Sequence, residues 1–494
     1  MRKTMLIALL LLLAGTLAMA TGTQEPGSAE TGEPVTIRQW DWGDSFEAYT
    51  RERIAIFEEK NPNVDIEYSL FTVDQFAQNI QLAVRSEDVP DVFPRPGSIS
   101  FFGALDDEWF QPLDPLVEEV WPGGLDAFVD GFPETSFVEG INVWDGDIYH
   151  APTKFPAGSG VLLFYNKDLM EQAGLDPNQP PDTWGELREH ARLITEAADG
   201  DAYGIIMGGN QLRRWDNVIT ALAQTIGPYG GAPYGGEYYA GLNYTNGRYE
   251  FEAPAFVRAM GLLTDMRDDG SYYPGFLSLN APQARALFGL GEVGFMFQGQ
   301  WNIAVWQRDN PDLNFGVTFV PVPDEGRSGY VHNVPVAAAG EPFGIARTTE
   351  HPILAARVLL DRYTREWMDG YAKTGDGFAV YPDSNSPENL NEMMQQVFTY
   401  SLEQRRVAPD PLVRDSAAVG AVYSEIVPPT PGLQEIVQGA FSGALEYEEA
   451  AAVLSAKWNA ELDRAIAAVQ AEGIDVSRDL WVFDWDGTTN WSGD

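Results

Sequence analysis

Cysteine is absent from this chain of 494 residues, and only 4 histidines are present. Without a thiol, neither a disulfide nor a thiolate metal site can form, and we expect no lipid anchor attached through cysteine. The histidines are far apart and show no H-x-x-x-H spacing, which argues against a zinc site. No G-x-x-x-x-G-K-[ST] phosphate loop occurs, so we expect no nucleotide hydrolysis. We therefore predict that the chain uses neither a metal nor a cofactor.

Basic residues are also scarce. Lys and Arg total 31 against 73 Asp and Glu, which gives a formal net charge of −42. A surface this acidic repels nucleic acid and anionic lipid headgroups, so we expect neither as a partner. Excess carboxylates and few lysines fit an organism living in high salt, where ions screen the repulsion. Ordinary acidic drift in a secreted protein explains the composition equally well.

The N-terminus has the pattern of a secretory signal peptide. Two basic residues precede an apolar run over 5–14, and Ala18-Met19-Ala20 fits the small-residue cleavage signature. The run is too short to anchor the chain across a bilayer, so we expect no direct membrane insertion. We predict a signal peptide over 1–20, cleaved near Ala20, and a disordered leader over 21–33. The mature protein is then expected to be soluble, in the periplasm or outside the cell.

Length and hydrophobic pattern predict two α/β domains. A chain of 494 residues with 44% hydrophobic residues favours two domains over one. Strand and helix patterns alternate from the first hydrophobic run onward, which predicts a mostly parallel sheet with helices on both faces. The predicted elements are a strand over 35–40, a helix over 46–60, a strand over 64–68, a helix over 73–86 and a strand over 91–93.

Four linked segments carry a family resemblance. They are Gly146-Asp-Ile-Tyr149-His-Ala-Pro152, Tyr165-Asn166-Lys167-Asp-Leu-Met, Gly174-Leu-Asp-Pro177 and Asp182-Thr183-Trp184-Gly-Glu-Leu187. Physically they are a turn with a short strand, a buried strand, a glycine-ended helical turn, and a helix capped by Asp182 or Thr183. Their order and spacing resemble the sugar-type extracellular solute-binding proteins of ABC importers, the maltose-binding-protein-like group. The turn Gly299-Gln-Trp301 is similar to that family as well.

The resemblance implies a two-lobed periplasmic-binding-protein fold of the hinged type II. Each lobe would be a mostly parallel sheet flanked by helices. The implied division is an N-terminal lobe of 34–152 plus 322–372 and a C-terminal lobe of 153–321 plus 373–494, with crossings near 151–157, 316–323 and 370–376. The glycine- and tyrosine-rich segment 227–247 is predicted to be a surface insertion over the rim of the cleft.

The implied function is solute capture. The protein would bind a mono- or oligosaccharide in the cleft between the lobes and deliver it to an ABC permease in the inner membrane, as a monomer, with the ATPase on a separate subunit. A non-sugar solute such as a polyol, a peptide or a glycerophosphodiester is the main alternative. A secreted glycosidase needs two carboxyls flanking the scissile bond. Because no enzyme motif accompanies the many acidic residues, we predict that the chain is not an enzyme.

The loop after the first strand holds the first candidate ligand contacts. An indole such as Trp42 covers the apolar face of a sugar, and a carboxylate such as Asp44 accepts hydrogen bonds from its hydroxyls. Asp44 suits equally well the cap of the next helix, because Glu47 stands three residues later in capping-box spacing. Trp40, at the end of the strand itself, is predicted to be structural.

Position in the family pattern supplies the remaining candidates, which are Arg95, Ser159, Trp215, Asp216 and Trp301. Trp301 is the main aromatic candidate, because aromatic faces dominate such pockets. For Arg95, the alternative to a ligand contact is an ion pair with one of the abundant surface carboxylates. Arg213 and Arg214 are predicted to be solvated.

Overall fold

The computed structural model describes residues 34–42, 46–96, 99–133, 136–155, 161–231, 239–333 and 342–491. The predicted signal peptide and leader, Asp44 and Ser159 lie outside the described residues. Within the described ranges, no helix is long and apolar enough to cross a membrane.

Strands and helices alternate along the chain. The strands are β1 (Val35–Trp42), β2 (Val64–Phe71), β3 (Val92–Pro94), β4 (Val143–Trp144), β5 (Asp147–Ile148), β6 (Leu162–Asn166), β7 (Tyr203–Ile206), β8 (Leu242–Asn243), β9 (Arg248–Tyr249), β10 (Val293–Gln298), β11 (Phe315–Thr318), β12 (Val331–Asn333), β13 (Phe343–Ile345) and β14 (Arg405–Val407). The helices are α1 (Glu47–Lys60), α2 (Val73–Arg85), α3 (Phe101–Asp106), α4 (Asp114–Val120), α5 (Gly124–Val129), α6 (Lys167–Gln172), α7 (Trp184–Ala198), α8 (Arg213–Gln224), α9 (Pro254–Asp268), α10 (Ala281–Gly289), α11 (Asn302–Asp309), α12 (Pro352–Asp361), α13 (Arg365–Thr374), α14 (Glu392–Gln404), α15 (Pro411–Arg414), α16 (Ser416–Glu425), α17 (Leu433–Phe441) and α18 (Tyr447–Ala471).

The first sheet has the strand order β13-β3-β1-β2. β1 runs parallel to β2 and β3, and β13 joins β3 antiparallel at the edge. Helices α1 and α2 make the crossovers between the parallel strands, as the alternating pattern predicted. Local capping sets where they begin: Thr72 caps α2 through a reciprocal capping box with Gln75.

The second sheet has the order β11-β6-β10-β7 and is mixed. β10 and β7 are parallel, but β6 lies antiparallel to both β10 and β11. This sheet therefore contains more antiparallel pairing than the resemblance implied. All residues of β6 and β10 are buried, because helices cover both faces. Gly204 permits close packing there, since a Cβ at this position would lie 2.1 Å from the carbonyl oxygen of Ala191 in α7.

The chain crosses from the first sheet to the second through residues 151–155. This segment lies beside residues 378–380: the amide of Phe155 donates to Phe378 O at 2.8 Å, and the amide of Val380 donates to Thr153 O at 3.2 Å. The predicted crossing 316–323 begins inside β11, and the predicted crossing 370–376 overlaps the end of α13; both stay predictions.

Strand β12 falls inside the stretch predicted for the N-terminal lobe but lies beside elements of the second sheet. It pairs with β14, and the amide of His332 donates to Gln224 Oε1 in α8 at 3.2 Å. The lobe boundaries given above stay a prediction.

The described ends of the segment 227–247 are packed into the protein, unlike the surface insertion predicted from composition. Leu242 and Tyr244 are buried, and β8 and β9 form a hairpin there. The ring of Tyr244 contacts that of Trp485 with centroids 5.5 Å apart. Tyr244 therefore fills a core that Trp485 near the C-terminus completes.

Candidate functional site

Trp42 ends β1 and is half-buried. Its ring packs edge-on against Phe76 of α2, with centroids 4.7 Å apart. Trp40, two residues earlier, lies on the same face of the strand, and its ring contacts Phe71 at 5.0 Å. Both indoles therefore belong to a small aromatic cluster, and Trp42 is the member at the carboxyl end of the strand, where ligands bind in open α/β sheets.

Arg95 follows β3 at the same edge of the first sheet. Its amide donates to Pro342 O at 3.0 Å, and its guanidinium donates to the carbonyl oxygen of Ile99. Burial lowers the pKa of Arg95 to about 10, and the nearby hydroxyl of Tyr239 offsets this only in part. The side chain is half-buried rather than solvated, so the alternative of a surface ion pair does not apply.

Trp301 lies at the end of β10 in the second sheet and is half-buried. Its ring lies directly on Gly299: a Cβ at position 299 would lie 2.1 Å from Cζ3 of the indole. The amide side chain of Asn302 donates to Gly299 O at 2.7 Å, which tightens this turn. Only glycine at 299 permits this placement of the indole, because any side chain would occupy the volume of the ring.

Arg214 lies against the same indole. Its Cζ is 6.0 Å from the centroid of Trp301, and its Nη1 donates to Gln298 Oε1 at 2.9 Å. The prediction that Arg214 is solvated was therefore wrong. The indole and the guanidinium are partly exposed, whereas the amide of Gln298 is buried and holds the guanidinium. We call this set (Arg214, Gln298, Trp301) the Trp301 cluster.

Trp215 is placed in the core instead. It has no solvent exposure, its Nε1 donates to Gly209 O at 2.9 Å, and its ring contacts Phe441 at 4.9 Å. Successive helical residues point about 100° apart, so when Trp215 of α8 faces inward, Arg214 is turned toward the strand ends. Asp216, the next residue, is buried as well. The structure brings neither indole nor carboxylate at 215–216 to an open surface.

A chain of contacts connects the two sheets at the crossing. Lys154 Nζ lies 3.2 Å from Asp376 Oδ2 and 5.0 Å from the ring centroid of Phe46, which precedes α1. The hydroxyl of Tyr371 donates to the same carboxylate oxygen at 2.6 Å. Gln300, next to Trp301, donates through Nε2 to Asp376 O at 3.3 Å. The loop after β1 and the turn after β10 therefore lie at opposite ends of one network.

Arg214, Gln298, Lys154 and Asp376 were not predicted as site residues. Lys154 and Asp376 each had one visible signal, since they lie inside the predicted crossings 151–157 and 370–376. Arg214 and Gln298 had none, because their contact joins residues 84 positions apart. The arrangement can bind a polar solute by stacking on Trp301 and hydrogen bonding from the amide and guanidinium groups. In the described ranges, no group of three or more acidic or histidine side chains is placed to hold a metal ion.

Comparison with known proteins finds binding proteins throughout. The family model described as bacterial extracellular solute-binding protein matches residues 39–364. A Brucella abortus protein assigned as a binding protein, without a stated solute, is 26% identical over 316 residues, which are 64% of this chain and 70% of that one. The sn-glycerol-3-phosphate-binding periplasmic protein of Brucella abortus is 27% identical over 215 residues, 42% of this chain and 43% of its own.

Among solved structures, the chain is similar to the GacH receptor of Streptomyces glaucescens, which was determined unliganded and in complex with acarbose and an acarbose homolog. The TM-score is 0.65 at 19% identity, covering 87% of this chain and 98% of the receptor. At that identity the likeness concerns the fold alone.

Proposed function

Because the chain belongs to the bacterial extracellular solute-binding proteins, which are binding components of ABC transporters and not enzymes, we propose that it captures a carbohydrate between its two sheets. The observation that carries the proposal is the Trp301 cluster. Gly299 leaves room for an indole at the end of β10, and Arg214 and Gln298 supply donors beside it. A sugar offers an apolar C–H face and a rim of hydroxyls, which match an aromatic face bordered by polar groups.

Trp42 is the proposed counterpart on the first sheet. It stands at the carboxyl end of β1, as Trp301 stands at the end of β10. Asp44 and Ser159 stay proposed contacts. In the sequence, Asp44 follows β1 and Ser159 precedes β6. Trp215 and Asp216 are proposed to act indirectly. Both are buried in α8, and this packing positions Arg214 of the same helix.

Capture is proposed to occur by closure of the two sheets and their helices about residues 151–155 and 378–380. Only a closed form lets one solute contact both sides, so the solute shifts the equilibrium toward closure. The complex then docks, as a monomer, on an ABC permease whose ATPase is a separate subunit. The GacH receptor, which shares the fold, was solved with acarbose, and we propose a mono- or oligosaccharide as the solute here.

The proposed setting is the periplasm or the cell exterior, after cleavage of the signal peptide near Ala20. No cysteine is present to carry a lipid anchor. The family match supports an extracellular place of action.

A thermal-shift screen followed by calorimetry tests the function. The mature protein would be screened against mono- and oligosaccharides, with polyols, peptides and glycerol phosphate compounds in the same panel. A bound sugar raises the melting temperature by mass action. Small-angle scattering with that sugar should show a smaller radius of gyration. Binding of a peptide, with no sugar bound, would contradict the proposal.

A further inference from the structure

The guanidinium of Arg95 has no acidic partner. In the part of the chain that the structure describes, no carboxylate oxygen lies within 4.0 Å of it. Its one hydrogen-bond acceptor is the neutral carbonyl of Ile99, and its Nε is buried without a partner. A cation in this position is therefore held by a single carbonyl dipole.

Other buried arginines near the first sheet are paired. Arg53 lies 2.7 Å from Glu366 Oε1 and 3.3 Å from Asp361 Oδ2, and Arg362 lies 2.9 Å from Asp41 Oδ2. Burying an unpaired charge is costly, and proteins normally supply a partner. A chain with 73 acidic residues has many carboxylates to place here. Among the described residues no carboxylate pairs with Arg95, which fits a negative charge supplied by a bound solute.

The surroundings of Arg95 keep it charged without neutralising it. With a pKa of about 10, the guanidinium remains protonated at neutral pH. His150, close by, stays neutral, because burial first and the charge of Arg95 second hold its pKa well below the usual range. The rings of Phe101 and Phe110 contact His150 on its other sides, at 5.6 and 4.5 Å. A group entering this space meets one strong cation. The carboxylate of Asp410 is also near, since it accepts a hydrogen bond from the hydroxyl of Tyr239 at 3.0 Å, but it does not pair with Arg95.

Position connects this cation to the cleft. Arg95 stands at the carboxyl end of β3, the sheet edge at which ligands bind. Tyr239 lies close to Arg95, and its ring contacts that of Tyr423 with centroids 6.1 Å apart. The arginine side chain keeps partial exposure, so a solute held between the two sides can reach it.

We infer that the captured solute carries an anionic group, a carboxylate or a phosphate, that pairs with Arg95. This rests on the proposed function, since it assigns a chemical class to the solute of the same cleft. Guanidinium and carboxylate or phosphate groups match in geometry and bind through two parallel hydrogen bonds. A sugar acid or a phosphorylated polyol then stacks on Trp301 and places its charge at Arg95.

Matched pairs of neutral and acidic solutes test the inference by calorimetry on the mature protein. The pairs are galactose with galacturonate, glucose with glucuronate, and glycerol with glycerol 3-phosphate. In at least one pair, the acidic member should bind about 10- to 100-fold more tightly, the range of a hydrogen-bonded charge. The sugar acids and the glycerol phosphate separate a carboxylate ligand from a phosphate ligand.

Arg95→Gln should remove this preference by weakening binding of the acidic member far more than binding of the neutral member. Arg95→Lys should restore part of it, because the charge remains and the two-point geometry is lost. Arg248→Gln is the control, since it makes the same change of net charge at an exposed position. The melting temperature of Arg95→Gln without solute should not fall, because the variant removes an unpaired buried charge. A purely structural arginine would instead lose stability on substitution and leave the preference intact.

Equal affinities within every pair would overturn the inference and leave carbohydrate capture standing. An acidic preference that survives Arg95→Gln would overturn it as well. Absence of binding by all six solutes would overturn the inference, and binding of a neutral oligosaccharide in the wider screen would then leave carbohydrate capture standing.

Discussion

Asp41 in β1 and Arg362 after α12 form a buried ion pair although 321 residues separate them. Asp41 Oδ2 lies 2.9 Å from Arg362 Nη2, and the exposed fractions of the two side chains are 0% and 5%. The guanidinium also lies 4.0 Å from the ring centroid of Phe343 in β13. The pair joins the first strand of the chain to the late segment that returns to the first sheet, directly beneath Trp42.

Replacing one member of this pair should destabilise the protein strongly. Arg362→Met leaves the carboxylate of Asp41 buried without its ion-pair partner, although the amide of Trp42 still donates to it at 2.8 Å; losing such a partner typically costs about 3–5 kcal/mol. Chemical denaturation of the variant measures the loss in free energy of unfolding. Arg365→Met is the control, since Arg365 pairs with Asp369 at an exposed surface and should cost under about 1 kcal/mol. Similar losses in both variants would contradict the assigned role.

Trp301 and Trp215 should separate binding from stability. Trp301→Ala should weaken binding of the solute found in the screen by about 2 kcal/mol, as for a buried aromatic anchor, and leave the fold intact. Trp215→Ala should cost about 3–5 kcal/mol of folding stability, because it empties a fully buried site. Calorimetry and thermal melting of both variants measure the two effects. The site would be misplaced if Trp301→Ala unfolded the protein without weakening the remaining affinity.

Asp410 should make stability depend on pH. Burial raises its pKa to about 6, and hydrogen bonds from the amide of Leu412 at 2.9 Å and the hydroxyl of Tyr239 at 3.0 Å offset part of the rise. In the unfolded chain the pKa is about 3.9. Between pH 4 and pH 6 the folded state binds more protons than the unfolded state. The stability that the raised pKa of Asp410 contributes is therefore fully present below pH 4 and is lost as pH rises through 6.

Asp410→Asn removes this titration and keeps an acceptor oxygen. Relative to the parent protein, the variant should gain on the order of 2–3 kcal/mol in unfolding free energy between pH 4 and pH 7. Denaturation at a series of pH values for both proteins gives the difference. A difference that stays constant with pH would contradict the raised pKa of Asp410.

Salt should stabilise the fold. With 73 acidic against 31 basic residues, carboxylates repel one another across the surface. Added ions shorten the Debye length from about 30 Å at 0.01 M to about 3 Å at 1 M. We expect the melting temperature to rise by a few degrees over this range, on the scale of about 1–2 kcal/mol. Sodium chloride and sodium sulfate at equal ionic strength should act alike if screening is the cause, and a falling melting temperature would contradict it.

Local signals were sufficient for the regular elements. The predicted strand over 35–40 and helix over 73–86 correspond to β1 and α2, with ends shifted by two residues or fewer. The choice between Asp182 and Thr183 as a cap was left open, and the structure assigns it to Thr183 in a capping box with Glu186. Periodicity and capping involve residues within a few positions of one another, so both patterns can be recognised in the sequence alone.

Side-chain placement was harder to predict. Trp215 and Trp301 carry the same chemistry, yet one is fully buried and the other lies on Gly299 at a strand end. The difference comes from the helical phase of α8, fixed by packing against Phe441, a residue more than two hundred positions away. Composition likewise predicted an exposed segment around Tyr244, whereas Trp485 covers it.

The sequence by itself determined the α/β class, the order of the main strands and helices, the acidic surface and the family. Each depends on composition or on residues close together in the chain. Only the tertiary structure decided that β6 runs antiparallel between its neighbours, that Lys154 meets Asp376, and that no carboxylate of the described ranges pairs with Arg95. These features depend on contacts between residues distant in sequence, and such contacts exist only once the chain has folded.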